Sequence, residues 1–252
     1  MPYAKTNRGE LFYTSSRGAT DGPTLVLVHG AGGTRLHWPA QLRRLPGATV
    51  YTLDLPGHGR SAGPGRDTVA DYAQAVAAFL NAVGARPATI VGHSMGGAVA
   101  LQLALDFAGR VAGLVLVATG ARLRVAPAIL EGIRTNFAGS IDLITRFSWS
   151  PEASPRLARL GQQALREAGA EVLLGDLAAC DRFDVMERLG DIGVPTLVVT
   201  GSADQMTPVK YAHFLVEHIA GAHLVTVASA GHMVMLEQPA EVAQAVQDFL
   251  GK

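Results

Sequence analysis

The chain has 252 residues, with 21 Lys+Arg against 21 Asp+Glu, 48% hydrophobic and 17% charged. That length and balance fit one large domain, or a core carrying an insertion, with a sizeable buried interior and no disorder. Zero net charge argues against a nucleic-acid or anionic-membrane partner, and the single Cys180 excludes an internal disulfide and a Cys-rich metal site.

The amino-terminal stretch Met1-Pro2-Tyr3-Ala4-Lys5-Thr6-Asn7-Arg8 has no apolar signal core, and no apolar run approaches the roughly 18 residues that span a bilayer. A cytoplasmic globular protein without a membrane span is the expectation. Short strand-like runs then alternate with helix-like ones, the pattern of a mostly parallel α/β sheet. Thr24–Val28 runs into His29-Gly30, and Ala48–Leu53 into Asp54. A helix opens at Thr68-x-x-Asp71, which resembles a capping box; Val69, Tyr72, Val76, Phe79, Leu80 and Val83 share one face, and Gly84 closes it. Thr89–Val91 leads to Gly92, and the helix after Ser94 is apolar nearly all round, so it should be central. Gly113–Val117, Thr196–Thr200 and Leu224–Val227 complete six runs, and a last helix opens at Pro239. Unbroken apolar runs, rather than alternating ones, imply strands buried on both faces.

Residues 121–190 break this rhythm. They hold no strand-like run, only helical patterns punctuated by Pro127, Pro151 and Pro155, and read as a helical insertion lying over the sheet. Seven Arg and seven Asp+Glu between residues 121 and 181 give no hint of a phosphate-rich substrate.

The strongest chemical signal is Gly92-His93-Ser94-Met95-Gly96-Gly97, between a buried strand and an apolar helix. A serine on so sharp a turn is strained, and side chains two residues away on either side would collide; Gly92 and Gly96 remove the collision. The helix start aims backbone N–H groups at negative charge forming beside Ser94. Serine needs a base. His232, in the loop after the last strand, is the leading candidate, and Asp204, in the loop after the preceding strand, would hold its tautomer. The order Ser94, Asp204, His232 suits such a site.

Other titratable residues carry blander expectations. His93 should face away from Ser94 and pack, and His29 should be a structural hydrogen-bonding residue. Asp54 should fix its loop, and Asp181 and Asp184 should be solvated. His213, His218 and His223 share no helical face and make a poor metal cluster. After the first buried strand, His29-Gly30-Ala31-Gly32-Gly33 offers backbone donors for an oxyanion, Ala31 N–H pairing naturally with Met95 N–H. A phosphate loop would need a Lys, and a dinucleotide fingerprint a Gly where Arg35 stands, so both readings fail on residue identity.

Together with Asp54-Leu55-Pro56-Gly57-His58-Gly59-Arg60-Ser61, these motifs make the chain resemble the α/β-hydrolase fold family, of the compact bacterial kind with a short helical cap. The resemblance spans residues 10–250 and is weakest over 121–190. It implies a doubly wound, mostly parallel sheet with a helical cap inserted after the sixth strand, so that 1–120 and 191–252 form the core and 121–190 the cap. It further implies Ser94 as nucleophile, His232 as base, Asp204 as acid, and Ala31 with Met95 as oxyanion hole. Members with an Asp nucleophile, the haloalkane dehalogenases and epoxide hydrolases, are disfavoured by Ser94.

The expected activity is therefore cofactor-free, metal-free hydrolysis of a small-molecule carboxylic ester through an acyl-enzyme. Lactone, thioester or C–C bond hydrolysis and perhydrolysis would use the same triad, and a non-catalytic small-molecule receptor would use the same fold. Leu36, Trp38, Phe137, Ile141, Phe147, Trp149 and Met186 are candidate pocket residues. The assembly is expected to be a monomer or homodimer.

Overall fold

The computed structural model describes residues 3–18, 22–85 and 87–251; Met1 and Pro2 of the amino-terminal stretch lie outside them. The apolar runs all become strands, and two further strands precede them. In chain order the strands are β1 (Tyr3–Thr6), β2 (Gly9–Ser16), β3 (Thr24–Val28), β4 (Thr49–Leu53), β5 (Ala88–His93), β6 (Val111–Val117), β7 (Thr196–Gly201) and β8 (His223–Val227). They form one sheet in the order β1-β2-β4-β3-β5-β6-β7-β8. β1 and β2 pair antiparallel, β2 runs antiparallel to β4, and every pairing from β4 to β8 is parallel.

The helices are α1 (Ala40–Arg43), α2 (Val69–Ala82), α3 (Met95–Asp106), α4 (Pro127–Thr135), α5 (Phe137–Ser148), α6 (Pro155–Ala168), α7 (Ala170–Arg182), α8 (Val209–His218), α9 (Val234–Glu237) and α10 (Pro239–Leu250). Among the described residues none is long and apolar enough to cross a membrane.

The pleat of the sheet sorts each apolar run into two layers. Val26 and Val28 join Ile90, Leu114, Leu116 and Val198 beneath α2, α3 and α8. Leu25 and Leu27 turn the other way, joining Val91, Val115, Val117 and Val199 beneath α1 and α10. Helices on both faces of a parallel sheet are the reason its strands can be apolar throughout. Each such side chain contributes roughly 1.5–3 kcal/mol on burial. Thr68 caps α2, its hydroxyl accepting the Asp71 N–H at 3.1 Å. Gly84 takes φ +61° just past its end.

Four helices, α4 to α7, lie between β6 and β7. Their apolar faces meet in a cluster of their own, Ile133, Ile141, Ile144, Leu165, Leu173 and Leu177, against which Ala31 of the loop after β3 packs. This contact brings the helical segment to the carboxyl ends of the strands, where the motif loops gather.

Candidate active site

The turn between β5 and α3 is strained at one residue. Ser94 adopts φ 52°, ψ −117°, outside the ordinary range for a residue with a side chain. The close approach that forces this is also visible in the glycines. A Cβ on Gly92 would overlap the Gly96 carbonyl, and one on Gly96 would overlap the Val28 carbonyl. The turn is held by its neighbours. Ser94 N–H donates to Val117 O at 2.9 Å, and the Thr119 hydroxyl donates to Ser94 O at 2.7 Å.

The loops after β7 and β8 bring an acid to an imidazole. Asp204 Oδ2 lies 3.0 Å from His232 Nδ1, with both side chains almost fully buried. Asp204 is anchored from below. Its Oδ1 accepts the N–H groups of Met206 (2.8 Å) and Thr207 (2.9 Å), and its Oδ2 also accepts the Thr207 hydroxyl (2.7 Å). Burial alone would raise the Asp204 pKa; the neighbouring His232 and the Thr207 donors outweigh it and hold the carboxyl below its usual value. Thr207 also lies 3.2 Å from His232 Nδ1. Sequence reasoning passed over this residue, although the spacing Asp204-x-x-Thr207, in which a carboxylate caps the backbone two and three residues on, is a readable signal.

Two other buried histidines frame the site. His93 Nε2 lies 3.0 Å from the His232 carbonyl and must donate to it, tying the turn at Ser94 to the loop at His232. The adjacent histidine therefore does more than pack. His29 Nδ1 donates to Gly30 O at 2.9 Å, while its Nε2 accepts the Leu55 N–H at 3.0 Å, so the ring carries a single proton. Burial pushes both pKa values well down. Asp54 acts as a loop-fixing carboxylate, accepting Arg35 N–H at 2.7 Å, Arg35 Nη1 at 2.8 Å and Arg60 N–H at 3.0 Å. Asp181 accepts the Val125 N–H at 3.0 Å, and Asp184 lies 3.5 Å from Arg122 at the surface.

Ser94 and His232 line one cavity of about 120 Å³ with Ala31 and His93. Among the described residues no hydrogen bond joins Ser94 to His232, and the N–H groups of Ala31 and Met95 have no protein acceptor. The remaining walls are mainly apolar, with Leu123, Val125, Ile144, Leu165, Leu173 and Met233 among them.

Of the residues expected at the pocket, Trp149 lines this cavity. Ile141 and Phe137 turn instead into the core of the helical segment. Trp38 is fully buried beneath the sheet among the residues packed by α1 and α10. Leu36 and Phe147 are exposed, and Met186 borders a separate depression beside Arg124 and Tyr211. Among the described residues no group of three or more His, Cys, Asp or Glu could hold a metal ion.

The pattern of the alpha/beta hydrolase family matches residues 25–245. The chain belongs to that family. Among similar hydrolases, a pimeloyl-(acyl-carrier protein) methyl ester esterase of Neisseria meningitidis serogroup C is 32% identical over 241 residues, covering 90% of this chain and 93% of its own length. A thermophilic esterase of known structure superposes with a TM-score of 0.87 at 34% identity, over 99% of this chain and 96% of its own. The enol-lactonase of Burkholderia xenovorans LB400 superposes with a TM-score of 0.90 at 25% identity, over the full length of both chains.

Proposed function

We propose that this family member is a serine carboxylesterase acting on small-molecule esters, with residues 121–190 as a cap over a core of 1–120 and 191–252. One observation carries the reading. Ser94 and His232 share a cavity, and His232 is held at Nδ1 by the buried Asp204, leaving Nε2 free for the serine proton. The N–H groups of Ala31 and Met95, which have no protein acceptor among the described residues, support it further: Ala31 lines the cavity with Ser94, and Met95 follows the strained serine at the start of α3.

In this reading Ser94 Oγ attacks the ester carbonyl carbon while His232 Nε2 takes its proton. Asp204 keeps the Nδ1 proton in place and stabilises the imidazolium. The carbonyl oxygen, now negative, is held by Ala31 and Met95, each donor worth roughly 10²–10³ in rate. His232 then protonates the leaving alkoxide, and the alcohol departs. A water, deprotonated by His232, attacks the acyl-enzyme, and collapse of the second tetrahedral intermediate returns the proton to Ser94 and releases the acid.

The test is hydrolysis of p-nitrophenyl esters by the purified protein and by Ser94→Ala. The expected result is turnover lost by at least about 10³-fold on substitution. Turnover unchanged in Ser94→Ala would refute the assignment. A second reading on the same residues, lactone hydrolysis, is favoured by the likeness to the enol-lactonase, and a lactone panel run beside the esters ranks the two.

A further inference from the structure

A buried carboxylate on the helical segment reaches back to the loop beside Ala31. Asp176, on α7, has no exposed surface. Its Oδ2 accepts the Gly32 N–H at 2.8 Å and faces His58 Nε2 at 2.8 Å, and its Oδ1 accepts the Tyr72 hydroxyl at 2.6 Å. The other His58 nitrogen, Nδ1, faces the Pro56 carbonyl at 3.0 Å. A carbonyl and a carboxylate can only accept, so both ring nitrogens carry protons and His58 is an imidazolium. The pKa direction agrees: burial pulls His58 down, but the charge and hydrogen bond of Asp176 outweigh it, and the net shift is upward.

Four parts of the fold thus meet on one carboxyl group: the loop after β3, the loop after β4, α2 and α7. Stability gives a poor reason for such a cluster, since buried ion pairs replaced by apolar groups of similar size often leave stability unchanged or improved. The cluster does fix geometry. Gly32 sits at φ +60°, and a Cβ there would come within 2.8 Å of Leu165 Cδ2 and 3.1 Å of Leu173 Cδ1, so α6 and α7 press directly on the turn.

We propose that Asp176 is a positioning residue for ester hydrolysis: with His58 and Tyr72 it fastens Gly32 to the helical segment, and so keeps the adjacent Ala31 N–H aimed at the oxyanion. The proposal rests on the esterase reading above and adds to it a coupling between segment and chemistry. A displacement of α7 would carry the Gly32 N–H with it and disturb the oxyanion donor, even if Ser94, His232 and Asp204 did not move.

Asp176→Ala is the test, because a methyl group accepts from none of the three donors, whereas an amide oxygen in the Oδ2 position would keep the Gly32 bond. Amide hydrogen exchange at Gly32 should rise at least about tenfold, as its acceptor is lost. With p-nitrophenyl butyrate, kcat should fall about 10- to 100-fold while KM stays within about threefold, the signature of an interaction made in the transition state. Val246→Ala, on α10 and in the core on the opposite face of the sheet from Tyr72, supplies a folded control that loses stability without touching the network. It should keep the kcat of the unmodified protein.

Unchanged Gly32 exchange and unchanged kcat in folded Asp176→Ala would overturn the proposal. An equal kcat loss in Val246→Ala at matched loss of Tm would also overturn it. Should Asp176→Ala fail to fold, Tyr72→Phe removes one donor and leaves the other two, and smaller changes in both readouts are expected; values equal to the unmodified protein would overturn it. Absence of Ser94-dependent turnover in the unmodified protein would instead defeat the esterase reading, and the exchange at Gly32 would then still decide whether Asp176 holds the loop.

Discussion

Asp204→Asn removes one charge and almost no volume, and the surroundings dictate which way the new amide turns. Oδ1 of Asp204 accepts two backbone N–H groups, from Met206 and Thr207, which cannot rotate away. The amide oxygen must take that side, leaving the NH₂ group facing His232 Nδ1 at the position now 3.0 Å away. An N–H facing Nδ1 demands a lone pair there. The ring then carries its proton on Nε2, the nitrogen that has to accept from Ser94. A loss of kcat near 10⁴ is expected from this wrong tautomer, about 5.4 kcal/mol of transition-state stabilisation. The assay is p-nitrophenyl butyrate hydrolysis at pH 8, with KM expected to change little because the cavity walls are untouched. A kcat within tenfold of the unmodified protein would show that His232 does not depend on Asp204, and the acid would have to be sought elsewhere.

Gly92→Ala should prevent the turn at Ser94 from closing, since the added methyl meets the Gly96 backbone rather than a movable side chain; loss of activity with a Tm drop above about 5 °C is expected by calorimetry, and a fully active, equally stable variant would contradict the geometry. His93→Ala leaves the His232 carbonyl without its donor, worth about 1–3 kcal/mol, so kcat should fall at least several-fold with the fold retained by circular dichroism. Acid should destabilise the protein. Burial depresses His29, His37 (to about 4) and His93 below the roughly 6.5 of an unfolded histidine. Their contribution is present above that value and lost as the pH falls through it toward the folded values. His58 works in the opposite sense: its folded pKa is raised, so its share is complete below about 6.5 and lost as the pH rises through the raised value. A Tm that stays flat from pH 7 to 4 would contradict the acid-side prediction. The cavity of about 120 Å³ is close to the roughly 150 Å³ that holds a benzene ring. Acetate and butyrate esters should therefore exceed laurate in kcat/KM, and a preference for the long chain would show that the walls open.

The parallel part of the sheet was legible because strands covered on both faces have to be apolar throughout, as Thr24–Val28 and Val111–Val117 are. β1 and β2 escaped notice for the complementary reason. They form an antiparallel pair at the edge, and Gly9-Glu10 and Thr14-Ser15-Ser16 dilute an apolar signal confined to Leu11 and Phe12. The contact between Asp204 and His232 followed from local motifs at strand ends, which the fold brings together. Asp176 carried no such local mark. Its partners Gly32, His58 and Tyr72 lie 144, 118 and 104 residues away, and nothing in their neighbourhoods announces a meeting. The cavity lining was illegible for a related reason. Ile144, Thr145 and Ser148 of α5 face the cavity while Ile141 and Phe137 face the segment's own core, and that choice depends on how four helices pack.

The central claim is that Ser94 becomes acylated. Intact-mass and peptide analysis after treatment with a fluorophosphonate tests it directly. One adduct per chain, mapped to Ser94 and absent from Ser94→Ala, is the predicted result; an adduct on another residue, or none on protein that still turns over esters, would contradict it.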